Sequence, residues 1–140
     1  MNYYNPTKQN KFGKEGNCLS AVIATLFDIE LSSIPIFADD EEFWIVELSR
    51  WVCKRFGKYV TPIKLATPED IFIFCGSLMI TTINSNNTDV NRHTVITIGD
   101  KIIFDPMEGE VDQLLSKEMD PTFMVIGDVR TIENNKINKL

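Results

Sequence analysis

Long apolar runs are missing from this chain. The longest, IFIFC at 71–75, is far short of the ~20 residues a membrane-crossing helix needs. The polar opening MNYYNPTKQNKFGKEG lacks the apolar stretch of a signal peptide. The expectation is a soluble, cytoplasmic protein with no membrane partner. Basic clusters are missing too. Fourteen lysines and arginines are scattered among 20 acids, and the formal charge is −6, so nucleic acid is not an expected partner. There is no glycine-rich phosphate loop. Cysteine is scarce: Cys18, Cys53 and Cys75 are an odd number at wide spacings, which suits reduced thiols better than a disulfide framework. None forms the close pair that structural zinc uses, so neither metal nor cofactor is expected. Cys53 and Cys75 read as core residues. Scarcest of all is histidine, present once, as His93.

What remains is enough for one domain over residues 1–140, since 44% of the residues are apolar and a core of that size needs no disulfide staples. Residues 1–16 read as an irregular entry segment. Leu19, Val22, Ile23 and Leu26 recur at i, i+3, i+4, i+7, which predicts a helix over 17–28 with Asn17 as its N-cap. The stretch DDEEFWIVELSRWVCKRFG predicts a second helix. Asp39–Glu42 form its acidic start, Lys54 and Arg55 its basic end, Gly57 its stop, and Trp44, Leu48, Trp51 and Val52 its apolar stripe. Strands follow: YVTPIKL, held to a sheet edge by Pro62; SLMITTI; then HTVITI and KIIFDP as a hairpin around Gly99-Asp100. EVDQLLS reads as a helical turn, FMVIGDV as a last strand and 131–140 as a frayed tail. Helices first and an antiparallel sheet after make the fold class α+β.

Cys18 opens a helix, where the positive end of the dipole favours the thiolate, the nucleophilic form. It lies on the flank of the apolar stripe, where a cleft can reach it; the competing reading is a small core-edge cysteine. His93 begins a strand and can serve as a general base for that thiol, or be an exposed strand-start histidine. Asp105 ends the paired strand and can orient the imidazole, or open an ordinary Asp-Pro turn. The three in this order, helix-start cysteine, strand-start histidine, acid on the next strand, match the layout of papain-like cysteine peptidases.

The segments "Q…GNCLSAVIATLFDIELSSIPIF" and "RHTVITIGDKIIFDP", covering about 9–37 and 92–107, resemble a group of small phage and prophage proteins with a papain-like fold. That group is related in fold to NlpC-type cell-wall amidases, bacteriocin-leader peptidases and glutamine deamidase effectors. The resemblance implies Cys18 as nucleophile, His93 as base, Asp105 as orienter, and Gln9 as a side-chain donor to the oxyanion beside the Cys18 N–H. The expected activity is a thiol-dependent hydrolase of peptidase, amidase or deamidase type, acting on a protein or peptide, in the host cytoplasm if phage-encoded. The alternative is a silent papain-like binding module that blocks a host protein, for which an acidic surface would suit a basic partner.

Register decides whether the histidine and the acid can meet. A plain two-residue turn would set Thr94 opposite Asp105 and turn His93 to the other face. A three-residue loop over Ile98-Gly99-Asp100, with Asp100 left-handed, would make His93 and Asp105 direct neighbours and gather Ile96, Ile102 and Phe104 on the opposite face. The expectation is an odd register, from this loop or an equivalent bulge.

Overall fold

In the computed structural model, residues 6–11, 17–37, 44–74, 76–84 and 92–128 are described. The acids Asp39–Glu42, the polar loop at 85–91, Cys75 and the tail lie outside them. The fold is α+β. Helix α1 (Cys18–Phe27) and helix α2 (Trp44–Phe56) precede strand β1 (Lys58–Ile63). Then come β2 (Leu78–Asn84), β3 (Arg92–Ile98), β4 (Lys101–Asp105), β5 (Gly109–Leu114) and β6 (Thr122–Asp128). The six strands form one sheet in the order β1-β6-β2-β3-β4-β5, antiparallel at every pairing.

Both helices cover one face of the sheet. Val22, Ile23 and Ala24 of α1 and Leu48 and Val52 of α2 pack with Ile80, Ile96, Phe104 and Met124. These sheet residues are spaced by two within their strands or paired across them, as one face of a pleat requires. The opposite face carries Met79 and Phe123, covered by Ile71 of a 3₁₀ turn at Pro68–Phe74, and a second group of Ile83, Val95 and Ile102. Helix α2 stops where expected. Gly57 takes φ +65 and its N–H bonds the Cys53 carbonyl at 2.9 Å, which closes the last turn in a conformation only glycine adopts without cost. Pro62 sits on β1, an edge strand, where its missing N–H takes no bond from the sheet.

Three expectations fail. EVDQLLS is strand β5, not a helical turn. Its Val111, Leu114 and Leu115 mimic helical spacing, but pairing with β4 wins. Cys53 is exposed, not core: it falls on the polar side of α2, next to the buried Val52. The β3–β4 loop is not three residues long. Ile98 pairs with Lys101 across a two-residue turn whose first position, Gly99, takes φ +56, the place of glycine in a II′-type turn. Asp100 is not left-handed. The odd register arises elsewhere: Thr97 pairs with Ile102 but Ile96 with Phe104, so Ile103 is an extra residue in a β-bulge. The bulge sends Ile102 to the far face while Phe104 and Ile96 stay in the main core, so the patch expected of all three is split.

Candidate active site

The bulge brings His93 and Asp105 together. Continuing the register by one residue past Ile96–Phe104 sets Asp105 across from Val95. His93, two residues before Val95, then lies diagonally across on the same side of the pleat, within reach of a side chain as long as histidine. The His93 Nε2–H donates to Asp105 Oδ1 at 2.7 Å, and the pair is well covered, with side-chain exposures of 11% and 20%. Without the bulge, Asp105 would face Thr94 and point away. The expected odd register is present, but as a diagonal pair and not as direct neighbours.

Asp105 is itself held. Its Oδ1 accepts the Met107 N–H at 2.8 Å, an Asx-type turn at the Asp-Pro step. Burial would raise its pKa; the His93 hydrogen bond and the Met107 N–H outweigh burial and hold the carboxyl below its ordinary range. Because Asp105 engages Nε2, the ring's other nitrogen, Nδ1, is the one left for Cys18, whose thiol is coupled to His93. One tautomer is therefore selected, the orienting role a third residue plays for a nucleophile and its base.

Cys18 is the first residue of α1 and is part-exposed. Burial pushes its thiol up. The His93 hydrogen bond and charge, with hydrogen bonds from the backbone and side chain of Thr94, outweigh that and hold it below an ordinary thiol. His93 moves the opposite way: burial alone would lower it, but the bonds and charges of Asp105 and Cys18 push it from 6.5 up to about 9. A lowered thiol beside a raised imidazole shifts the pair toward thiolate and imidazolium.

Thr94 is the residue that sequence reading missed. It is buried, and both its backbone and its side chain act on the Cys18 thiol. The available signal was a hydroxyl at an inward position beside the candidate base. Thr94→Val removes that hydroxyl and keeps the side-chain shape. It is expected to raise the Cys18 pKa, read as a shift to higher pH of the midpoint of the iodoacetamide rate; an unmoved midpoint removes Thr94 from the site.

Gln9 is also drawn in. Its backbone N–H bonds the carbonyl of Pro106, next to Asp105, at 2.9 Å. Its side-chain Nε2 donates to the Lys11 carbonyl at 2.8 Å, and that carbonyl also accepts the N–H of Asn17, next to Cys18, at 3.3 Å. Gln9 is thus bracketed between the neighbours of the acid and of the thiol. Asn17 does not cap α1: its side chain makes no cap hydrogen bond. Its Oδ1 instead accepts the N–H groups of Asn10 and Lys11 at 3.1 and 3.0 Å.

A cavity of about 770 Å³ lies elsewhere, between the start of α2 at Trp44, the end of β1 at Ile63 and the start of β6 at Phe123. Its lining includes none of Gln9, Cys18, His93 and Asp105, and no cysteine or histidine. Among the described residues, no helix is long and apolar enough to cross a membrane. Comparison with known proteins adds no family: no family model matches the chain, and neither does any curated protein or solved structure.

Proposed function

We propose that this protein is a papain-like, thiol-dependent hydrolase of amide bonds in a protein or peptide, acting through an acyl-enzyme at Cys18. The observation that carries the proposal is the 2.7 Å bond from His93 to Asp105 on a histidine that is charge-coupled to a helix-start cysteine. The resemblance of residues 9–37 and 92–107 to small phage papain-like proteins supports it. In this reading the Cys18 thiolate adds to the substrate carbonyl carbon and the C=O pair moves to oxygen. The Cys18 N–H, and the second N–H of Gln9 Nε2, meet the charge that develops there. His93 gives its proton to the leaving nitrogen as the C–N bond breaks, leaving a thioester. Neutral His93 then takes a proton from water as its oxygen adds to the thioester carbonyl. The C–S bond breaks, and the thiolate–imidazolium pair is restored.

The test is labelling with iodoacetamide across pH, with mapping of the modified cysteine. Alkylation needs only thiolate, so at neutral pH Cys18 should react faster than exposed Cys53, and its rate should not fall again at high pH. Hydrolysis of a peptide p-nitroanilide, whose leaving nitrogen must be protonated as the C–N bond breaks, needs His93 protonated in the resting pair. Its rate should therefore rise with thiolate formation and fall as pH passes about 9, where His93 loses its proton. Equal labelling of Cys18 and Cys53 at neutral pH would sink the enzyme reading in favour of a binding module, which has no need of a thiolate.

A further inference from the structure

The entry segment is fastened to the start of α1 by one buried side chain. Asn17 is 6% exposed, and all its polar groups are used. Oδ1 accepts the N–H groups of Asn10 and Lys11, Nδ2 donates to the Asn10 side-chain oxygen at 2.8 Å, and the backbone N–H donates to the Lys11 carbonyl. The Lys11 peptide is therefore gripped at both its N–H and its C=O by the residue that precedes Cys18. The same carbonyl takes the Gln9 Nε2.

Gln9 is the less secure partner. It is 8% exposed, yet among the described residues its buried Oε1 has no hydrogen-bond partner, a costly state for a buried acceptor. A carboxamide with an orphaned oxygen has nothing on that end to hold it. Among the described residues, the bond to Lys11 is the contact that tells its nitrogen from its oxygen, and Lys11 is held by Asn17. If the Lys11 carbonyl moved, the amide could turn and present an acceptor where a donor is needed.

We propose that Asn17 is a positioning residue for the oxyanion donor: it clamps the Lys11 peptide, whose carbonyl keeps the Gln9 amide turned with nitrogen toward the reacting carbonyl. The inference rests on the hydrolase reading and assigns Asn17 a role in place of helix capping. It separates two reactions of the same thiol. Alkylation by iodoacetamide develops no charge on a carbonyl oxygen and ignores the oxyanion donors. Acylation by p-nitrophenyl acetate develops that charge and depends on them. The ratio of the two rates at Cys18 cancels any change in thiolate fraction, so a merely structural or electrostatic effect of a substitution leaves it in place.

The experiment measures this ratio in the full chain for wild type, Gln9→Ala, Asn17→Ala, Asn17→Asp and the Gln9→Ala/Asn17→Ala double variant. Gln9→Ala should lower it by roughly 10²-fold, the effect of losing one oxyanion donor. Asn17→Ala should lower it at least tenfold, and the double variant should fall no further than Gln9→Ala, because the two act in series. Asn17→Asp keeps an oxygen for both N–H groups, and Asn10, whose side chain is exposed to turn, can donate to it. Its added charge slows both reactions through the thiol, but the ratio should stay near wild type. If Asn17→Ala unfolds the chain, an Asn17→Asp ratio at the Gln9→Ala level overturns the proposal, and a wild-type ratio upholds it. A wild-type ratio in folded Asn17→Ala, or losses that multiply in the double variant, overturns the clamp while leaving the hydrolase reading intact. Failure of that reading looks different: wild-type Cys18 is not acylated at all, and the clamp falls with it.

Discussion

His93→Ala is expected to lower p-nitrophenyl acetate turnover at Cys18 by roughly 10²–10⁴-fold, the range a positioned general acid–base contributes. Two losses combine. The cation that holds the thiolate disappears, since the hydrogen bond and charge of His93 are the largest contributions that lower the Cys18 pKa. Only burial, which raises it, and the weaker Thr94 contacts remain. The group that activates water to release the acyl-enzyme disappears as well. Alkylation separates the two: its rate should fall at neutral pH and recover as pH rises toward the ordinary thiol range, whereas turnover should not recover at any pH. Rates measured from pH 5 to 10 for wild type and variant decide this. A variant that keeps turnover within threefold of wild type would show that His93 and Cys18 do not work as a unit.

Phe104→Ala is expected to cost about 3–5 kcal/mol of stability, the usual loss for a large aromatic removed from a packed core. Phe104 is fully buried, packs with Val22, Ile23 and Ile96, and directly follows the bulged Ile103. It therefore pins the chain just where β4 recovers its pairing with β3. The loss would lower the melting midpoint by about 10 °C or more for a domain of this size. Phe72→Ala serves as the comparison. That ring is 57% exposed, and its removal should stay within about 0.5 kcal/mol. Urea unfolding of both variants reads the difference; a Phe104→Ala loss below about 1 kcal/mol would mean that the bulge is held by something other than this ring.

The N-terminal half of the fold was legible for a local reason. Helix α1 runs from Cys18 to Phe27 because its apolar residues repeat at 3.6 and nothing in it breaks the period. The end of α2 was legible because Gly57 can take a left-handed conformation there at no cost. Strand β5 was not. It lies at the sheet edge with only Gly109 buried and Val111 half-buried, so the two-residue alternation that marks a strand is nearly absent. Asn17 was misread for a similar reason. Asparagine before a helix is a good cap in isolation, but here the entry segment returns to compete for its side chain.

By itself, the sequence determined the α+β class, the edge position of Pro62 and the short list of groups able to do chemistry. Those follow from period, ring closure and side-chain type, which are properties of single residues and near neighbours. Only the tertiary structure decided that the groups meet. One extra residue at Ile103 changes the parity of a strand, and parity sets which face Asp105 shares. Nothing in IIFDP marks a bulge, because that choice is made by what Phe104 and Ile102 find to pack against on the two faces of the sheet.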